Sequence, residues 1–198
     1  MNDINKCVDI INNGGVVILP TETVYGIGCS CFNEDSIKRL YEIKKRPYNK
    51  PISVLVSNID MINKVAKNIS DKEKMVINHF FPGPLTIILE KNDNVPNILT
   101  SNGNTIGVRM ADNKLINEII DKVDIPLAVS SANESGMDAN INIDNIYEIF
   151  KDKVDYYIDG GTSRIGVAST VVRIKDDEVI ILREGIITKS DIEKVING

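Results

Sequence analysis

The sequence predicts an α/β domain: one twisted sheet of mixed parallel and antiparallel strands, flanked by helices. Helical and strand-like patterns alternate irregularly along the 198 residues, which points to a mixed sheet rather than a strictly repeating one. Two late apolar runs, residues 169–173 and 179–182, are separated only by the polar Lys175-Asp176-Asp177 turn. No Pro/Ser-rich linker, internal repeat or low-complexity tract divides the chain, and 42% hydrophobic residues supply enough apolar material for one core. A single domain over residues 1–198 is the simplest organisation.

Residues 3–13 place Ile4, Cys7, Val8 and Ile11 at the spacing of one helix face, and Gly14-Gly15 supplies a left-handed stop. Residues 16–19 follow as a short buried strand. The next helix is expected from the N-cap Asn33 through Ile37, Leu40 and Tyr41 to Lys45, because Pro47 disfavours helical geometry at Arg46. Residues 52–56 read as a second buried strand. Ser70-Asp71-Lys72-Glu73 has the form of a capping box opening a helix to about Phe80, and Pro82-Gly83-Pro84 breaks the chain before a strand at 85–89. Further strands are expected at 105–109, 126–130, 169–173 and 179–182, with 92–104 as a polar loop.

Charge and residue counts prune the chemistry. Acidic residues outnumber basic ones by 28 to 23, so any phosphate site must come from locally concentrated Lys and Arg, and unspecific nucleic-acid binding is disfavoured. Cys7, Cys29 and Cys31 contain no C-x-x-C pair and His79 stands alone, which argues against a disulfide framework and a Cys/His zinc site. Nucleophilic machinery would have to rest on His79, near an expected helix end where a satisfied histidine is far commoner. No run approaches the roughly 18 apolar residues of a membrane helix, and MNDINKC lacks the basic-then-apolar start of an export signal. A soluble, cytoplasmic protein without membrane contact is expected.

Three segments stand out. Pro20-Thr21-Glu22-Thr23-Val24-Tyr25-Gly26 leaves a buried strand and gathers hydroxyls and a carboxylate; it reads equally as a functional loop or as an ordinary turn with hydrogen-bonding Thr and Glu. Lys44, Lys45, Arg46 and Lys50 form the strongest local cation cluster, with Arg46 a planar fork for phosphate. A solvated helix end explains Lys44 and Lys45 too, but Lys50, beyond Pro47, poorly. Ser130-Ser131-Ala132-Asn133 follows an apolar strand and reads as phosphate-facing donors or as a helix cap. Arg109, Ser169 and Arg183 also fall at expected strand ends. Neither G-x-x-x-x-G-K-[ST] nor G-x-G-x-x-G occurs.

Together, GGVVILPTETVYGIG, the K-x-R of Lys44 to Arg46, FPGPLTIIL, GVRM, SSAN followed by Ser135-Gly136, STVVRI and ILREG occur in one order between Gly14 and Gly185. In this combination the chain resembles the YrdC-like threonylcarbamoyl-AMP synthases of the short TsaC type. The resemblance implies a YrdC-like fold with a large basic cleft. It also implies a reaction joining L-threonine, bicarbonate and ATP, with Mg²⁺, into threonylcarbamoyl-AMP and pyrophosphate. The product would pass to a tRNA threonylcarbamoyl-transfer complex that modifies the adenosine beside the anticodon. By the same resemblance Arg46 and Lys50, with Lys44, hold ATP phosphates; Ser131, Asn133 and the backbone N–H of Ala139 join them, and Arg183 clamps the nucleotide. Thr23, Arg109 and Ser169 contact threonine, Thr21 and Tyr25 are wall residues, and no covalent nucleophile is expected.

Two positions depart from that pattern. Leu55 stands where many relatives have a histidine, so a polar contact to threonine is missing or replaced by packing. Ser135-Gly136-Met137-Asp138-Ala139 replaces the usual S-G-x-P-S, losing a proline and a serine hydroxyl. The chain ends fifteen residues past Arg183, so the carboxy-terminal domain of longer relatives is expected to be absent, and any lid must come from its own loops or a partner. Two other readings remain at this point: a related carbamoyl or acyl adenylation enzyme, and an RNA-binding module with weak tRNA contact, which the net charge of −5 disfavours.

Overall fold

A computed structural model describes residues 2–198. The amphipathic amino-terminal segment forms α1 (Asn2–Asn12), and Gly14, at φ +82°, turns the chain into β1 (Val17–Leu19). Then follow β2 (Gly26–Ser30), α2 (Glu34–Ile43), β3 (Ser53–Leu55), the short β4 (Ala66–Lys67), α3 (Asp71–Phe80), β5 (Leu85–Lys91) and β6 (Thr105–Arg109). The remainder comprises α4 (Lys114–Val123), β7 (Leu127–Ser131), α5 (Ile143–Phe150), β8 (Tyr156–Tyr157), β9 (Thr170–Lys175), β10 (Glu178–Arg183) and α6 (Lys189–Asn197).

The ten strands of the described residues join in one sheet of order β10-β9-β5-β6-β3-β7-β2-β1-β8, with β4 paired to β5. It is mixed as expected: β5–β9, β3–β6 and β1–β8 run parallel, whereas β5–β6, β3–β7 and β9–β10 run antiparallel. Helices α1 and α4 pack on each other, as do α3 and α6. The core gathers Ile11, Leu19, Ile37, Leu40, Leu85, Ile119 and Phe150, each at most 1% exposed. Among the described residues no helix is long and apolar enough to cross a membrane.

Several boundaries differ from expectation for physical reasons. The second helix stops at Ile43, not Lys45: Lys45 adopts φ +51°, and the Lys45 and Arg46 amides return to the carbonyls of Glu42 (3.0 Å) and Tyr41 (2.9 Å). This paired closure ends the helix before Pro47 acts. Strand β7 spans 127–131 rather than 126–130, which makes Ser131 its last residue. The 92–104 loop contains a 3₁₀ turn, Asn97–Thr100. Strand β2 was not expected, because two glycines in five residues depress strand propensity; the same glycines let it lie against β7. A Cβ on Gly26 would sit 2.5 Å from Val129 Cγ1. Helices α4, α5 and α6 were also not singled out, although Ile116, Ile119, Ile120 and Val123 form an apolar face on α4 and Thr188 with Asp191 a capping box on α6.

Candidate functional site

Alternate residues of a strand point to the same side of its sheet. Four such pairs, Ser53 and Leu55 of β3, Thr86 and Ile88 of β5, Val129 and Ser131 of β7, and Ser169 and Val171 at β9, line one cleft of about 340 Å³. The expectation of strand tips therefore needs widening: the cleft lies over one face of the central strands. Gly107 of β6 keeps its floor open, since a Cβ there would lie 2.5 Å from Ser53 Oγ and 3.1 Å from Thr86 Cγ2.

Arg46, Arg109 and Arg183 enter the cleft from α2's end, β6 and β10, and among the described residues no carboxylate, thiol or imidazole lines it. The Arg46 guanidinium is held by the carbonyls of Lys50 (3.0 Å) and Pro51 (2.9 Å). Arg183 donates to Ser169 through Nε to the carbonyl (3.0 Å) and through a terminal nitrogen to Oγ (3.0 Å), and Ser169 Oγ meets Thr86 Oγ1 at 2.8 Å. Burial holds the Arg46 and Arg183 guanidinium groups below their ordinary range, and Arg183 is lowered further by Arg109 and Arg46. Cations that repel one another across an open space favour an anion between them.

Arg109 is 7% exposed and already engaged. It donates to the Gly83 carbonyl (3.0 Å) and Thr23 Oγ1 (2.9 Å), and a terminal nitrogen lies 2.6 Å from Glu22 Oε1. Burial lowers its pKa, while Glu22 acts in the opposite direction. A carboxylate partner for Arg109 therefore exists within the chain, and an amino-acid substrate would meet only the N–H groups left over. Thr21 serves the turn: its hydroxyl donates to the Val24 carbonyl (2.6 Å) and accepts from the Thr23 and Val24 amides. The Tyr25 hydroxyl donates to the Gly161 carbonyl (2.7 Å) and accepts from the Gly160 amide (3.0 Å), tying down a later loop. Segment 163–166 straps the 21–23 turn, with Ser163 Oγ on the Thr21 carbonyl and the Ile165 and Gly166 amides on the carbonyls of Glu22 and Thr23, all at 2.9 Å.

The cleft thus unites Thr23, Arg46, Arg109, Ser131, Ser169 and Arg183 with Thr21, Tyr25 and Leu55. Lys44, Lys50, Asn133 and Ala139 do not line it. Lys44 is the main correction to the expected phosphate cluster: it is 1% exposed, and its ammonium donates to the backbone carbonyls of Ser131 and, at 2.6 Å, Asn133. Its Nζ donors brace the end of β7 instead of facing the cleft. Asn133 is likewise inward, its amide closing the turn onto the carbonyls of Glu134 (2.8 Å) and Met137 (2.7 Å). Lys50 is exposed on the turn beyond Pro47, and Ala139 is half-buried outside the lining. Leu55, 5% exposed, contributes packing. His79 packs edge-on against Phe80, and burial pushes the Cys7 and Cys29 thiols up to about 12, in keeping with structural roles. Sequence reasoning passed over Thr86, Ser53 and Gly107, although a threonine inside the apolar run LTIIL was a visible signal.

Burial, followed by the nearby Arg46 charge, pushes Lys44 down to about 7 from the ordinary 10.5. Between these values the unfolded chain holds more protons at this site than the folded one, so the site's contribution to stability grows as pH rises through that window. Urea unfolding of wild type and Lys44→Met at pH 6.5 and 9.5 checks this. The wild-type advantage is expected to be larger at pH 9.5, and an equal difference at both values would return Lys44 to an ordinary lysine.

The sequence profile of the family Sua5_yciO_yrdC, described as "Telomere recombination", matches residues 9–185. The chain belongs to that family. A Pyrococcus abyssi relative named threonylcarbamoyl-AMP synthase is 37% identical over 186 residues, covering 94% of this chain and 55% of the relative. A Methanocaldococcus jannaschii relative is 40% identical over 177 residues, covering 89% of this chain and 83% of its own length. The crystal structure of P. abyssi Sua5 complexed with L-threonine superposes with a TM-score of 0.94 at 36% identity, covering 98% of this chain and 57% of that one. This Sua5/YciO/YrdC domain therefore spans about half the length of the P. abyssi relative, and the likeness confirms the expected α/β fold. Within the domain, the cleft offers cations and neutral hydroxyl donors converging from the end of α2 and from separate strands, suited to an anionic ligand.

Proposed function

We propose that the chain synthesises threonylcarbamoyl-AMP from L-threonine, bicarbonate and ATP. The observation that carries this reading is the convergence of Arg46, Arg109 and Arg183 with Ser131 and Ser169 on one cleft that no carboxylate, thiol or imidazole lines. The threonine amine and bicarbonate condense to a carbamate and water. A carbamate oxygen then forms a bond to the α-phosphorus as the bond to the β-phosphate bridging oxygen breaks, and pyrophosphate carries away that electron pair. Arg46 and Arg183 offset charge on the triphosphate, Ser131 supplies a neutral donor, and Thr23, Ser169 and the unused N–H groups of Arg109 position the amino acid. The names of the relatives, and the Sua5 complex with L-threonine, support this reading.

The cleft offers Mg²⁺ no carboxylate ligand, and among the described residues no group of three or more His, Cys, Asp or Glu side chains is placed to hold a metal. Mg²⁺ would enter as part of the nucleotide substrate. We place the reaction in the cytoplasm, with the product handed to a tRNA threonylcarbamoyl-transfer complex. Pyrophosphate release from ATP is expected only when threonine and bicarbonate are both present, with mass spectrometry identifying the adenylate. Equal release with either omitted would overturn the proposal, and a panel of amino acids tests whether Leu55 has changed the substrate.

A further inference from the structure

Thr86 is 3% exposed, and among the described residues its hydroxyl has one partner, Ser169 Oγ at 2.8 Å. Ser169 Oγ also accepts from Arg183 at 3.0 Å, because a guanidinium nitrogen only donates. A serine oxygen has two lone pairs and one proton, which leaves two arrangements. If Ser169 donates to Thr86, Ser169 keeps no proton to offer, and the Thr86 proton, on a residue only 3% exposed, finds no acceptor among the described residues, at a cost of about 1–3 kcal/mol until a ligand supplies one. If Thr86 donates to Ser169, both Ser169 lone pairs are filled and its proton alone remains free. Only the lone pairs of Thr86 then go unused, and underused acceptors are better tolerated than orphaned donors.

We propose that Thr86 is a positioning residue that commits Ser169 to donating its hydroxyl proton into the cleft, toward a carboxylate or carbamate oxygen of the amino-acid substrate. The proposal rests on the function proposed above and names the atom through which Ser169 would act. Register and shape both hold Thr86 in place. Strands β5 and β9 run parallel with Thr86 opposite Val171, and the Thr86 methyl leans toward Gly107, where a Cβ would approach it to 3.1 Å. A β-branched side chain is restricted at χ1, and with the methyl seated toward Gly107 the oxygen is carried toward Ser169. The Arg183 contact polarises the same oxygen, which strengthens the outgoing donor.

Thr86→Val removes the hydroxyl at nearly constant volume, and Thr86→Ser keeps it. L-Threonine binding is measured by calorimetry on wild type and both variants, alongside steady-state kinetics and melting temperatures. The valine variant is expected to weaken threonine binding about five- to tenfold, the worth of one directed hydrogen bond, and to raise KM for threonine with little change in kcat. The serine variant is expected to stay within about twofold of wild type by the same measure. Unchanged threonine binding in Thr86→Val would overturn the inference, as would equal weakening in both variants at wild-type melting temperature. A wild-type protein that binds no threonine would overturn the proposed function itself, so the two failures are separable.

Discussion

Arg46→Ala is expected to lower adenylate formation by about 100- to 1,000-fold while leaving the fold intact, the usual loss when one preorganised charge is taken from a developing anion. The side chain is suited to that role because the chain has fixed it before any ligand arrives. The closure of α2 at Lys45 turns the backbone, and the carbonyls of Lys50 and Pro51 take two of the guanidinium donors, leaving others to face the cleft. Those carbonyls lie on a partly exposed turn, where water replaces the lost contacts at a cost of about 1 kcal/mol or less. Pyrophosphate release and thermal unfolding measured on one preparation check both halves. A variant of wild-type activity would remove Arg46 from the mechanism, and a variant that unfolds would show the turn to be structural.

Glu22→Ala should have the largest effect on stability. Glu22 and Arg109 form an ion pair with side chains 1% and 8% exposed, and removing the acid strands a buried guanidinium. Such a loss costs about 3–5 kcal/mol, where replacing both partners by apolar residues of similar size would cost far less. For a domain of this length the melting temperature is expected to fall by about 10 °C. Calorimetric melting of Glu22→Ala beside Arg109→Met and the double variant checks it. If the double variant is not more stable than Glu22→Ala alone, the two residues do not compensate each other.

Much of the fold could be read from residues whose neighbours in sequence are also their neighbours in space. The capping box at Ser70 and Glu73 and the N-cap at Asn33 appear as expected, because a helix start is settled within one turn. Strand β2 could not be read this way, since Gly26 and Gly28 find their purpose only against Val129, about a hundred residues on. The site divides along the same line. Arg46, Ser131 and Arg183 do meet in one cleft, whereas Lys44, from the same K-x-R, faces two carbonyls of a distant segment. Charge clustering along a chain says how much charge is present, and only the fold, which sets the turn after α2 beside the Ser131 and Asn133 carbonyls, decides which ammonium is turned inward.

The sheet order also has a temporal consequence. Thr86 lies on β5, but its partner Ser169 and the Arg183 that bonds Ser169 sit at the last two strands, and β5 meets β9 in parallel with Leu85 opposite Thr170. A growing polypeptide leaving the ribosome would have the pyrrolidine-rich PGP turn and the floor of the hollow long before it owned the wall that closes it. Pairing of that range is slow to form, and ligands reward only the finished arrangement. The ligands proposed above, threonine and ATP, should therefore leave early collapse untouched when added during refolding, and stabilise the molecule only after its final hairpin has docked.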